Sequence, residues 1–270
     1  MGYKINLVNG NIITLDESCP RADTISLENG KIAGINAIDH NHKSIDLQGA
    51  TVIPGFTDSH FHLTNLGKQL DTLQLKDCRS PNEVAEKVLK KSAKMSHNDW
   101  IIGFGWDHNK WHKPNFPKAD ILNSLPISQP IMLNRIDGHS AWVNQKAMEL
   151  SGLDVTPTPP DGGDIINDCI LIDNAMNPVQ FVMPKPDETI VEKWIKLALE
   201  IIITRGITNI HDAWQDPITV KVLQQLSETG KLPIRIYGML GSSHPKLLKH
   251  FFKEGISRSE KYTIRSVKAF

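Results

Sequence analysis

Three polar residues spaced two apart, Asp58, His60 and His62, follow an apolar run that is typical of a β-strand. Residues two apart on an extended strand project to the same face, so this spacing places a carboxylate and two imidazoles close together. A divalent ion engages the lone pairs of two neutral imidazoles at once. Asp58 is expected to orient one imidazole from outside the ligand shell. The spacing alone also fits structural histidines, because His-x-His pairs are common.

Further polar pairs follow other predicted strands along the chain. In a parallel β/α barrel, positions just after the strands face one common mouth. A single pair also fits a core histidine or an aspartate that caps a helix, but four pairs in register favour a shared site. Imidazoles and carboxylates gathered at one mouth suit a hydrolytic metal. The further pairs are Asp107 with His108, Asp137 with His139, and His211 with Asp212.

The elements that must position these residues fall into two regions. Residues 4–48 contain short β-rich runs separated by Asn-Gly turns, which predict a small antiparallel sheet. From Thr51 onward, strands alternate with helices of roughly 10 to 20 residues, which indicates parallel β/α architecture. We count six candidate strands in this second region and expect two of them to lie outside the barrel.

Local signals fix several element boundaries. Ser80 to Glu83 forms a capping box, and the helix after it is expected to bury Val84, Val88 and Leu89. Residues 156–164 are rich in Pro and Gly and predict a loop. A short strand is expected over 207–210, just before the His211 and Asp212 pair.

The composition is that of an ordinary globular protein. The 270 residues carry 30 Lys plus Arg against 30 Asp plus Glu, so the formal net charge is zero. This balance argues against nucleic acid or an anionic membrane surface as a partner. The three cysteines are far apart and form no disulfide framework or zinc-ribbon spacing, and the N-terminus lacks a secretory apolar region. We therefore expect a cytoplasmic protein.

Several motifs together resemble the metal-dependent amidohydrolase superfamily, and within it the amidohydrolase-3 group of YtcJ-like proteins and N-substituted formamide deformylases. The resemblance implies an α/β fold, with residues 1–51 as part of a β-sandwich subdomain. Residues 52–270 would be the N-terminal part of a distorted β/α TIM-type barrel. The motifs are VIPGFTDSHFHL at 52–63, WIIGFGWDHNKW at 100–111, FPKADILNSLP at 116–126, NRIDGHSAWVNQKAM at 134–148, GITNIHDAW at 206–214 and SVKAF at 266–270.

The resemblance also implies roles for individual residues. His60 and His62 would bind one or two divalent ions, with Zn²⁺ expected. Lys268 matches the place of a lysine that many members carbamylate, so it would be a catalytic bridging ligand; a surface or barrel lysine is the alternative. The candidates for substrate binding are Trp106, Asp137, His139 and His211.

The implied function is hydrolysis of a carbon–nitrogen bond, other than a peptide bond, in a small amide or N-substituted formamide by attack of metal-bound hydroxide. Members of the group continue well beyond the position of Lys268 and supply further ligands there. The chain therefore resembles the N-terminal half of an enzyme. The alternative is a catalytically inactive truncated fragment or pseudoenzyme. A homo-oligomer and a complementing C-terminal half are both open as partners.

Overall fold

The structure is a computed structural model that describes residues 4–153 and 158–269. Within those ranges, every helix is too short or too polar to cross a bilayer.

Two small sheets form the N-terminal region and share an apolar core around Ile12, Ala22 and Ile25. The seven strands are β1 (Lys4–Val8), β2 (Asn11–Ile13), β3 (Arg21–Ala22), β4 (Ile25–Glu28), β5 (Lys31–Ile35), β6 (Lys43–Asp46) and β7 (Thr51–Val52). One sheet has the order β5-β4-β1-β6 and the other the order β3-β2-β7.

The predicted single antiparallel sheet is therefore wrong. The Asn29-Gly30 turn does close a hairpin, since β4 and β5 pair antiparallel with Glu28 opposite Lys31. The Asn9-Gly10 turn instead carries the chain from one sheet into the other, and β1 pairs in parallel with β6. A Cβ on Gly10 would lie 2.5 Å from Leu47 Cδ1, so this turn is packed against the core. The β-sandwich stays a prediction.

A mainly parallel sheet carries the histidine pair. Its strands are β8 (Phe56–Phe61), β15 (Ile207–Gln215), β16 (Arg235–Gly241) and β18 (Tyr262–Lys268), with the short β17 (Ser257–Arg258) antiparallel to β18. The order is β17-β18-β16-β15-β8. Four of the six candidate strands thus lie side by side in one sheet. Strand β15 extends to Gln215, beyond the predicted end at 210, so His211 and Asp212 lie within it.

A second, six-stranded sheet contains the other two candidate strands. It is formed by β9 (Leu73–Gln74), β10 (Ile101–Trp106), β11 (Ile131–Arg135), β12 (Ser140–Val143), β13 (Gly163–Ile166) and β14 (Ile170–Asp173). The order is β13-β14-β12-β11-β10-β9. Two candidate strands, β10 and β11, lie outside the parallel sheet; that they lie outside a barrel stays a prediction. Each sheet is open, and the described residues form no closed barrel.

In the described ranges, eight α-helices connect these strands. They are α1 (Leu63–Asp71), α2 (Pro81–Ser92), α3 (Ala119–Asn123), α4 (Gln145–Ser151), α5 (Asn177–Val182), α6 (Glu188–Ile203), α7 (Pro217–Glu228) and α8 (Pro245–Glu254). The capping box is confirmed, because Ser80 Oγ accepts from the Glu83 backbone N–H at 3.2 Å. Helix α2 buries Val84 and Val88 as predicted, but Leu89 is 40% exposed because it faces away from the sheet.

Two further expectations are corrected by the six-stranded sheet. Strands β11 and β12 form a hairpin across Asp137-Gly138, in which Gly138 adopts φ +77° and its N–H donates to Arg135 O. Asp137 and His139 therefore lie in a hairpin turn and not between a barrel strand and its crossover helix. The loop expected over 156–164 ends earlier, since Gly163 and Asp164 belong to β13; residues 156 and 157 lie outside the described ranges.

Helix α1, which follows β8, packs against α6 through a close backbone approach at Gly67. A Cβ placed on Gly67 would lie 1.9 Å from Trp194 O and 2.4 Å from its carbonyl carbon. Backbone atoms cannot move aside as a flexible side chain would. Only glycine lets these two helices cross at this distance.

Replacing Gly67 by Ala should therefore force α1 away from α6. We expect a loss of about 3 kcal/mol in the free energy of unfolding, at the upper end of the range for overpacked cores. Chemical denaturation of Gly67→Ala and of Gln69→Ala, an exposed position in the same helix, provides the measurement and its control. Equal stability of Gly67→Ala and the wild type would contradict the close approach.

Candidate functional site

The imidazoles of His60 and His62 lie side by side where β8 ends. Their ring centroids are 5.4 Å apart and the rings meet edge to face at 74°. His60 is exposed and His62 is half-buried. Neither ring accepts or donates a hydrogen bond among the described residues, so both sets of lone pairs are open to a ligand. This part of the site has the geometry that the spacing predicts.

Asp58 departs from the prediction. Between Asp58 and Phe61, β8 contains one residue more than the facing stretch of β15, since Ile210 pairs with Asp58 and Asp212 with Phe61. Such a bulge breaks the alternation of faces on which the shared orientation of Asp58 and the histidines was predicted. The Asp58 carboxylate accepts from the backbone N–H of His60 at 3.0 Å. It thus shapes the backbone of the bulge, with no contact to an imidazole.

A buried polar chain lies beneath the histidine pair. Asp212 is 1% exposed, and its carboxylate accepts from the Leu63 backbone N–H at 3.0 Å and from Gln215 Nε2 at 2.9 Å. Gln215 Oε1 in turn accepts from the Tyr262 hydroxyl at 2.5 Å. The chain joins β15, β18 and the first residue of α1, next to His62. Asp212 is therefore unavailable at the mouth, where it was predicted together with His211.

Sequence reasoning overlooked this chain, although one signal for it was present. Adjacent residues on a strand face opposite sides, so His211 and Asp212 could not both point to the mouth. Burial raises the pKa of the Asp212 carboxyl to about 6, although the hydrogen bonds from Gln215 and Leu63 favour its ionised form. Burial, followed by the nearby charge of Asp212, also raises the pKa of Tyr262.

The other candidates of the parallel sheet are His211 and Lys268. The ring of His211 lies 5.0 Å from that of Tyr237 on the neighbouring strand, and the residue is half-buried. Lys268 is the last residue of β18, opposite Gly241. Strands β8 and β18 are three strand spacings apart, or about 14 Å along the sheet. Lys268 can share a ligand with the histidine pair only if the sheet curves enough to bring the ends of β8 and β18 closer together.

Asp137 and His139 lie on the six-stranded sheet and already have partners. Asp137 forms an ion pair with Arg135, which also approaches Asp107 at 3.5 Å. His139 Nδ1 lies 2.9 Å from Asp173 Oδ1, and this hydrogen bond raises the pKa of His139. The structure thus divides the four predicted pairs between two sheets, because β10 and β11 do not belong to the parallel one.

Trp106 is placed in the core instead of on a binding surface. Its side chain is fully buried, and its indole N–H donates to Leu133 O at 2.7 Å. The ring packs against Trp111 and Trp142. Because its polar atom is satisfied and no surface is exposed, Trp106 is not retained as a substrate contact. The aromatic residue at the end of this strand is therefore part of the core.

Two imidazoles fit a metal as part of a ligand set. Within residues 4–153 and 158–269, no group of three or more His, Cys, Asp or Glu side chains is arranged to hold an ion. Catalytic zinc normally has three protein ligands. The pair therefore supplies two ligands, and any further ligand must be of another type or come from elsewhere.

Comparison with known proteins decides the family. The Amidohydro_3 model, described as Amidohydrolase family, matches residues 43–270. The chain belongs to this amidohydrolase family. It is 27% identical over 247 residues to the YtcJ amidohydrolase of Bacillus subtilis (strain 168), covering 84% of this chain and 47% of that protein. It is 22% identical over 263 residues to the N-substituted formamide deformylase of Arthrobacter pascens, covering 88% and 47%.

The fold of this amidohydrolase chain is also found in solved structures. An uncharacterized metal-dependent hydrolase from Pyrococcus furiosus matches with a TM-score of 0.77 at 23% identity, covering 98% of this chain and 55% of that one. This likeness confirms the α/β fold. The chain spans about half the length of the relatives it matches.

The buried position of Asp212 predicts a pH dependence of stability. The folded protein holds the Asp212 proton more tightly than the unfolded chain, whose pKa is that of a free aspartate. The contribution of Asp212 to the free energy of unfolding is therefore largest below about pH 4. It falls by about 3 kcal/mol as the pH rises to about 6. Asp212→Asn should remove this fall while keeping an acceptor for Leu63. The measurement is the free energy of unfolding, from chemical denaturation at about pH 4, 5, 6 and 7.

Glu17→Gln serves as the control for loss of one negative charge, because Glu17 is exposed and lacks a hydrogen-bond or ion-pair partner within the described chain. Its stability should follow the wild-type pH profile. If Asp212→Asn also follows the wild-type profile, the carboxylate does not titrate in this range and the burial argument fails.

Proposed function

We propose that this chain carries part of the active site of a metal-dependent hydrolase. The reaction is cleavage of a carbon–nitrogen bond, other than a peptide bond, in a small amide or N-substituted formamide. The observation that carries the proposal is the pair of open imidazoles at the carboxyl end of a parallel strand. Membership of the amidohydrolase family supports hydrolysis, and the deformylase named above motivates the substrate class.

In this proposal His60 and His62 are two ligands of one divalent ion, with Zn²⁺ the expected metal. When bound, such an ion activates water and polarises the carbonyl of the substrate. Lys268 is proposed as a further ligand after carbamylation, since it ends a strand of the same sheet. His211 lies on β15, the strand next to β8, half-buried and beside Tyr237, where it can contact substrate.

Several residues of the chain have supporting tasks in this scheme. Asp58 holds the His60 N–H and so fixes the bulge that contains His60, two residues before His62. Asp212 holds the Leu63 N–H and fixes the chain immediately after His62. Asp137 and His139 remain proposed substrate contacts, and binding there would compete with their present partners Arg135 and Asp173.

Metal binding by the histidine pair can be measured without any assumption about turnover. We expect the chain to bind one Zn²⁺ weakly, because two imidazoles make an incomplete ligand set. The double variant His60→Ala with His62→Ala should weaken binding at least about 10-fold. Isothermal titration of metal-free protein is the measurement. The matched control is the double variant His40→Ala with His112→Ala, which removes two exposed histidines.

Equal zinc affinity of the wild type and the His60 and His62 double variant would overturn the metal assignment. Hydrolysis is tested separately with N-substituted formamides in the presence of Zn²⁺. A saturable rate that the double variant lacks supports the enzyme. Zinc binding without any rate supports the alternative of a catalytically inactive fragment or pseudoenzyme.

A further inference from the structure

A groove of about 940 Å³ lies beside the histidine pair but contains neither histidine. Helix α1 forms one wall, strands β10 and β11 form the floor, and the segment 180–186 forms the other wall. The six-stranded sheet and the first helix of the parallel sheet thus meet across this groove. No residue proposed above as a ligand or substrate contact lines it, among the described residues.

The floor of the groove is one face of the sheet. Ile102 pairs with Met132, and Phe104 pairs with Asn134, in adjacent parallel strands. These alternate residues project to the same side, whereas Ile101 and Leu133 project to the other side and join a buried core. The floor is therefore apolar and contains one aromatic ring, that of Phe104, whose centre lies 5.8 Å from Lys76 Nζ, with a single amide at its end. A flat apolar group would be desolvated there.

The α1 wall is polar and carries a cation. Asn65, Lys68, Gln69 and Thr72 follow the spacing of three and four residues that forms one stripe along a helix. Lys68 is exposed, and its Nζ lies 6.0 Å from the centre of the Trp194 ring. The stripe therefore lines the groove with two amide residues, one hydroxyl residue and one lysine, whose ammonium group lies beside the Trp194 ring.

The opposite wall supplies a second cation. Lys185 is exposed between Pro184 and Pro186, whose rings restrict the backbone on both sides. Gln180 adds another amide. The lining that the structure describes contains no Asp or Glu to neutralise Lys68 and Lys185. Lys68 and Lys185 thus lie on opposite walls beside an apolar floor, and this lining matches an anion that carries an apolar body.

We propose that this groove binds an organic anion with a flat apolar group, such as an aromatic carboxylate. The carboxylate lies between the ammonium groups of Lys68 and Lys185, and the ring lies on Phe104 and Ile102. Asn65 follows His62 by three residues, so the groove starts within one helical turn of the histidine pair. If the proposed function holds, the anion is a substrate that carries this carboxylate in addition to the carbon–nitrogen bond that is cleaved; the binding itself does not depend on that function.

N-benzoylglycine is a suitable probe, because it combines a phenyl ring, an amide and a carboxylate. The 270-residue chain, freed of metal on a chelating resin, is titrated by ligand-observed NMR. N-benzoylglycinamide, the neutral analogue, is titrated in parallel. We expect the anion to bind about 10-fold tighter than the neutral analogue, because two exposed ion pairs each contribute a few-fold. Metal-free conditions separate this result from any failure of hydrolysis or zinc binding.

The double variant Lys68→Gln with Lys185→Gln should lose this preference, so that both probes bind with the weaker affinity. The matched control is Lys90→Gln with Lys94→Gln, which removes two exposed lysines in and after α2, the helix that packs on the other face of the sheet. It should keep the preference. Equal binding of both probes to the wild type, or an unchanged preference in the first double variant, would overturn the proposal.

Discussion

The hydrogen bond from Leu63 N–H to the buried carboxylate of Asp212 is the constraint on which the candidate site depends. It joins β15 to the first residue of α1, immediately after His62. A carboxylate without water must find partners, and this one has the Leu63 N–H and the Gln215 amide. Tyr262 then extends the chain to β18. The start of α1, directly after His62, and the strand with Lys268 are thereby linked to β15 by one set of polar contacts.

The division into two sheets separates two tasks. The parallel sheet presents the imidazoles, and the six-stranded sheet provides the floor of a groove next to them. Gly67 lets α1 pack closely against α6, because a side chain at this position would meet the backbone of Trp194. One face of α1 starts at the histidine pair and lines the groove. A single short helix therefore connects the proposed metal ligands with the proposed anion site.

The sequence predicts the elements better than their assembly. The spacing of His60 and His62 is local, so their shared side is predicted correctly from period two. The bulge after Asp58 and the hairpin at Asp137-Gly138 depend on which strands become neighbours, and that choice is made by packing. Asp137-Gly138 is a hairpin signal in the sequence, whereas a barrel strand end was expected there. Trp106 shows the same limit, since an aromatic residue at a strand end fits both a core and a binding site.

Strand β8, which carries the histidine pair, bonds to β15 on one side and to no other strand among residues 4–153 and 158–269. The outward N–H and C=O groups of an edge strand meet solvent, whereas β15 and β16 are bonded on both sides. Amide protons of β8 that have no acceptor therefore exchange with deuterium without any opening of the sheet, whereas the His60 N–H donates to Asp58 Oδ1. The amide protons of β8 that bond to β15 exchange once the hydrogen bonds between these two strands are broken. His60 is thus mounted on an edge strand, and its distance from His62, the residue that precedes α1, is coupled to the lifetime of the pairing between β8 and β15.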